Sequence, residues 1–122
     1  MAGHGYSRAQ RVGDLLRREL ALMLLKEVKD PRVQGVVTVM EVSVSRDLRS
    51  AKVMVSVAGG EEAKAGAMAG LARAAGFLRR SLGRRLTIKR VPELRFELDR
   101  SLDYQEEMER LLRSVSQGGG GE

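Results

Sequence analysis

The chain has 122 residues with 43% apolar residues, 31% charged residues and only 3% aromatics. That length supports one folded domain with a true core, and the composition excludes a disordered chain. Lys and Arg number 22 against 16 acids, a formal net charge of +6, and there is no Cys. A clustered basic surplus of this size favours a polyanionic partner over a merely soluble surface. The missing thiols exclude a disulfide framework, a Cys nucleophile and a Cys-based zinc site. With few aromatics and no Trp, a reader that stacks bases on rings is disfavoured.

Residues 1–6 read as a flexible lead that carries the only histidine, His4. Ser7, with Gln10 three residues on, forms a capping-box pattern. Val12, Leu15, Leu16, Leu20, Met23, Leu24 and Val28 recur at helical spacing, predicting an amphipathic helix over roughly 8–28. Arg8, Arg11, Arg17 and Arg18 lie early on it, and any one alone reads as part of a solvated face. Asp30-Pro31 stops the helix, because proline disfavours helical geometry before it and lacks an N–H. The run VVTVMEVSVS predicts a strand with Val36, Thr38, Met40, Val42 and Val44 on one face and Glu41 and Ser43 on the other. After the polar link Arg46-Asp47-Leu48-Arg49, the residues Ala51, Val53, Val55 and Val57 alternate with Lys52, Met54 and Ser56. Two such strands make a hairpin, with its Ala/Val face expected against the first helix.

Gly59-Gly60 ends the hairpin, and Glu61 and Glu62 suit the positive end of a helix dipole. Ala63, Ala67, Met68, Leu71 and Ala75 supply that helix's apolar positions. Gly66 and Gly70 lie inside it, each costing about 1 kcal/mol, which close approach of another backbone would justify. Gly76 interrupts the pattern, and Phe77, Leu78, Leu82 and Leu86 resume it. Taken by spacing alone, Ala74-Ala75-Gly76 is a tight turn between two helices. The basic run Arg79, Arg80, Arg84, Arg85, Lys89 and Arg90 follows, without an acid before Pro92. Leu94 to Leu98 alternates as a strand, Tyr104 to Val115 forms a last helical pattern, and residues 116–122 read as a flexible Gly-rich tail. Asp99, Asp103, Glu106 and Glu107 are explained by an acidic first helical turn better than by a metal or an acid–base pair. One His and no Cys leave little catalytic repertoire.

The predicted fold is α+β: a type II KH-like order, α-β-β-α-(kink)-α-β, with a three-stranded sheet, helices on one face and an extra short C-terminal helix. The domain spans residues 7–100, with the C-terminal helix over 101–115. The GxxG loop that clamps backbone in most KH domains is missing at the helix junction, where Ala74-Ala75-Gly76 stands instead. Four segments then resemble one family in order and spacing. They are Arg8-Ala9-Gln10-Arg11-Val12; Lys29-Asp30-Pro31-Arg32-Val33; Val44-Ser45-Arg46-Asp47-Leu48 with Ala51-Lys52-Val53; and Ala74-Ala75-Gly76-Phe77-Leu78-Arg79 running on to Val91-Pro92-Glu93-Leu94-Arg95-Phe96 and Asp99-Arg100-Ser101. The chain is similar to bacterial ribosome-binding factor A from about Ser7 to Leu112.

The resemblance implies a non-catalytic assembly factor, linked to growth in the cold. Such a factor binds the free, immature 30S subunit and helps its 16S rRNA mature. It raises Ala74, Ala75 and Gly76 from a turn to a helix kink at the contact surface. It implies a monomeric protein with no catalytic residue, metal, cofactor or small-molecule substrate, while the missing Cys, secretory signal and membrane-spanning apolar run predict a cytoplasmic protein without a membrane partner. The alternatives are a general single-stranded RNA-binding KH module and a small enzyme acting on nucleic acid. The missing GxxG counts against the first, and the missing nucleophiles and metal ligands against the second. The residues expected to meet RNA are Arg79, Arg80, Arg84, Arg85, Lys89 and Arg90, joined by Arg8 and Arg11. The six basic residues from 79 to 90 suffice for about four to six phosphates, which predicts a log-affinity against log-salt slope of roughly −3 to −4 on single-stranded RNA.

Overall fold

The structure is a computed structural model that describes residues 6–120, the side chains of residues 117–120 excepted. The lead at 1–5, with His4, and the last two residues of the tail lie outside the described residues. The order is α1 (Arg8–Lys26), β1 (Val37–Val44), β2 (Ser50–Val57), α2 (Glu61–Arg85), β3 (Glu93–Leu98) and α3 (Ser101–Gly120). One sheet holds the strands in the order β1-β2-β3. The β1–β2 pair is antiparallel and the β2–β3 pair is parallel, from Ser50↔Glu93 to Val55↔Leu98. A parallel return needs a crossover, and α2 supplies it.

α1 begins where the capping box predicts. Ser7 Oγ accepts from the Gln10 N–H at 3.1 Å, and the Ser7 N–H donates to Gln10 Oε1 at 2.8 Å. Its inward face, Leu16, Leu20, Met23 and Leu24, enters a core with Val39, Val42, Ala51, Val53, Val55, Leu71, Leu78, Leu82 and Leu94. Each fully buried Leu here contributes about 1.5–3 kcal/mol by leaving water. α1 lies over β1 and α2 over β3, leaving the Ala/Val face of the central β2 beneath the seam between the helices. The expected placement of that face against the first helix gives way to a position between the two helices.

The inward face of β1 also differs from prediction. The pairing shifts between Val39 and Glu41, which leaves Met40 as an extra residue with no partner across the ladder. Such a bulge reverses which side the following residues face. Val39 is therefore buried before it and Val42 after it, while Met40 is 43% exposed. Gly13 allows α1 to sit close on this strand: a Cβ there would lie 2.7 Å from the Val42 carbonyl oxygen.

The largest difference concerns the helix break. α2 runs for 25 residues through Ala74, Ala75 and Gly76 as one helix, not two. Gly76 sits on its exposed side, where a missing side chain removes little packing, so the ladder of backbone hydrogen bonds continues past it. The glycines earlier in α2 do mark a close approach, but to side chains rather than to a backbone. A Cβ at Gly70 would lie 2.8 Å from Val33 Cγ2 and 3.0 Å from Asp30 Oδ2, and one at Gly66 would touch the Arg32 stem at 3.4 Å. The loop after α1 thus rests on α2. Finally, α3 continues beyond Val115 to Gly120. Tyr104, Met108, Leu111, Leu112 and Val115 on it are 52–73% exposed, so this helix extends away from the core rather than covering it.

Candidate nucleic-acid interface

The six basic residues between 79 and 90 divide into two groups. Arg79 is half-buried and donates from Nε and Nη2 to the Val91 carbonyl oxygen, at 3.1 and 2.9 Å. It ties the end of α2 to the segment entering β3. Arg85 donates from Nε to Ser81 Oγ at 3.3 Å and forms ion pairs with Glu19 of α1 and with Glu27, the residue that caps it. Arg79 thus holds α2 to the segment before β3, and Arg85 holds α2 to α1 and its end. Neither has its full fork available to a phosphate, so they fit the expected contact surface poorly.

Arg80, Arg84, Lys89 and Arg90 are exposed, and among the described residues none of them takes part in a salt bridge. Arg80 and Arg84 stand one turn apart on the outer side of α2, in line with Arg73 and Phe77. Phe77 is 39% exposed, although its helical spacing suggested a core position. Of the kink residues, Ala74 and Ala75 are half-buried and Gly76 is exposed. A Cβ at Gly76 would meet only the flexible end of Arg80, at 3.4 Å.

Lys89 and Arg90 come together with Arg8 of α1. They rim a cleft of about 670 Å³ between the start of α1, the β1–β2 turn and the segment after α2. Its remaining lining is Val12, Asp47, Leu48, Thr87 and Ile88. Arg11 lies outside this lining, and its Nη2 reaches the Tyr6 carbonyl oxygen at 3.5 Å. A second, shallower groove of about 1080 Å³ runs from Arg8 and Arg17 along β1 to Arg46.

The β1–β2 turn is held from within. Asp47 Oδ1 accepts from Ser45 Oγ at 2.7 Å and from the Arg49 N–H at 3.1 Å. Those two bonds, the hydroxyl's first, hold the Asp47 carboxyl below its usual range, so it is ionised at neutral pH. Ser45 Oγ also accepts from the Ser50 N–H at 3.1 Å, and Leu48 adopts a left-handed conformation with φ 61°. The turn's contribution to the cleft was not legible in the sequence, where Asp47 and Leu48 read as a polar link and as part of a family segment. An apolar residue set in the middle of that link, at Leu48, is the one signal that pointed there.

Among the described residues no group of three or more His, Asp or Glu stands where it could hold a metal ion. No helix of the described residues is long and apolar enough to cross a membrane.

A three-stranded mixed sheet backed by two helices, with exposed cations on α2 and around the cleft, defines a small KH-like α+β domain whose two central helices are fused into one. A statistical description of the ribosome-binding factor A family matches residues 8–112. The chain belongs to the ribosome-binding factor A family. It is 45% identical over 113 residues to the family member of Brevibacillus brevis, covering 93% of each chain. It is 50% identical over 111 residues to that of Synechocystis sp., covering 90% of this chain and 84% of the relative. A crystal structure of ribosome-binding factor A from Thermus thermophilus superposes with a TM-score of 0.67 at 32% identity, over 78% of this chain and all of that one. A Thermus thermophilus RbfA model fitted into the cryo-EM map of a 30S–RbfA complex gives a TM-score of 0.64 at 33% identity, over 77% of this chain and 97% of that one.

Proposed function

We propose that this protein is a non-catalytic assembly factor. It binds the free, immature 30S subunit, contacts 16S rRNA and promotes its maturation, as a cytoplasmic monomer, and it supports growth in the cold. The observation that carries this reading is the likeness, at 33% identity, to the Thermus thermophilus relative fitted into a 30S complex. The charge distribution supports it. Arg80, Arg84, Lys89, Arg90 and Arg8 are the cations offered to phosphate, whereas Arg79 and Arg85 are engaged within the fold. Contact through phosphates fixes position without reading sequence, so the shape of the particle selects the site.

Co-sedimentation with separated 30S, 50S and 70S particles at two salt concentrations tests the reading. Salt-sensitive binding confined to free 30S is the expected result. Equal binding to all three particles and to bare RNA would make the protein a general RNA-binding module instead.

A further inference from the structure

The cleft bounded by Arg8, Lys89 and Arg90 combines two features. Its floor is apolar. Val12 packs against the core, but Leu48 and Ile88 do not belong to it. Both are only half-buried, so their side chains line the cleft without being needed to fill the protein. Its rim carries three cations, none of them in a salt bridge among the described residues. At about 670 Å³ the cleft lies within the range of roughly 300–1,000 Å³ typical of small-ligand sites.

The turn that supplies Leu48 is built rather than loose. Three hydrogen bonds among Ser45, Asp47, Arg49 and Ser50 fix it, the Ser45 hydroxyl giving its one proton to Asp47 Oδ1. They hold a branched side chain at φ 61°, a conformation that costs about 1–3 kcal/mol and persists where the surroundings impose it. A bare anion does not explain the site, because Asp47 adds a negative charge and an apolar floor offers an anion nothing. A flat, partly apolar ring attached to a phosphate satisfies both halves. We propose that this cleft binds one nucleotide unit. Its base lies on Val12, Leu48 and Ile88, its phosphate is held by Arg8, Lys89 and Arg90, and the free Asp47 oxygen is an acceptor for a ribose hydroxyl or a base amine. The unit is either an unstacked nucleotide of RNA or a free mononucleotide. Only the first source rests on the 30S reading above.

The test is amide-resolved NMR of the full chain titrated separately with adenosine monophosphate, adenosine and inorganic phosphate. The proposal expects saturable shifts at Leu48, Thr87, Ile88 and Lys89, with the monophosphate binding about tenfold tighter than adenosine or phosphate alone. Ile88→Gln, which makes the floor polar without changing charge, and Arg90→Gln should each weaken the monophosphate by about tenfold while keeping a dispersed, folded spectrum. Phosphate binding as well as the monophosphate, or shifts centred on Arg80 and Arg84, would overturn the proposal. Co-sedimentation of Ile88→Gln with 30S separates the sources: weakened binding identifies an RNA nucleotide, and unchanged binding with the monophosphate site lost identifies a free one. A wild-type chain that binds 30S but shows no shift at the cleft sinks this proposal alone. A chain that shifts at the cleft but ignores 30S sinks the 30S reading alone.

Discussion

Glycines in this chain have opposite roles at different positions, and the difference is steric. Gly13 lies where α1 meets β1, and a methyl there would press on the Val42 carbonyl oxygen at 2.7 Å. Backbone cannot rotate out of the way, so Gly13→Ala should destabilise the fold by about 1–3 kcal/mol, read as a lower urea midpoint at unchanged slope. Gly76 is exposed in the interior of α2 and meets only the end of Arg80. Gly76→Ala should therefore stabilise the fold by about 0.5–1 kcal/mol in the same measurement, as an unstrained helical position does. A loss of stability at Gly76→Ala would mean that the helix needs a break there after all. The sequence singled out Gly76 and passed over Gly13. A glycine that breaks a periodic pattern is visible in one dimension, whereas one that admits a neighbouring strand is not. A third residue, Asp30, is tied to Arg32 through its side chain and the Arg32 N–H, and those bonds lower its pKa from 3.8 to about 2. The folded form thus releases this proton more readily than the unfolded chain does. The stabilisation is present above pH ~4 and is lost as pH falls through about 2. Asp30→Asn should flatten that part of the acid unfolding curve and leave a smaller pH dependence.

At the scale of elements, most of the fold was legible because it rests on local signals. The capping box placed the start of α1, the β-branched alternation gave β2 its inward face, and the last strand followed Pro92 as expected. β1 was misread in its first half, because a single unpaired residue at Met40 moves the inward set from Val36 and Thr38 to Val39. Nothing in the local sequence announces that extra residue; it is set by pairing with β2. α3 is the opposite case: its apolar spacing is clear, yet it buries none of its described side chains. It is joined to the domain through the Arg100–Glu61 pair at 2.8 Å and the longer Asp103–Lys64 contact at 3.8 Å. A chain ending at Asp103 keeps both. It should unfold within about 0.5 kcal/mol of the full chain, since exposed segments away from the core contribute little. A loss beyond about 2 kcal/mol would show that α3 packs on the domain in solution.

At the scale of the whole molecule, the sequence located the basic cluster but could not say which of its members are free. Arg79 finds its acceptor at Val91, twelve residues on, and Arg85 finds Glu19 on α1 and Glu27 at its end, across the fold. Tertiary partners of this kind leave no trace in a window of sequence. Once those two are set aside, Arg80, Arg84, Lys89 and Arg90 remain, with Arg8 brought in from α1 by the cleft. Four to five phosphate contacts on single-stranded rRNA correspond to a log-affinity against log-salt slope of about −3. The direct test is the salt dependence of 30S binding for two double variants beside wild type. Arg80→Glu with Arg84→Glu should weaken binding and flatten the slope by about one to two, because exposed cations have been lost. Arg79→Gln with Arg85→Gln should lower stability and leave the slope of the folded fraction unchanged. The reverse pattern, a slope altered by Arg79 and Arg85 and indifferent to Arg80 and Arg84, would contradict the division of this surface into structural and contacting cations.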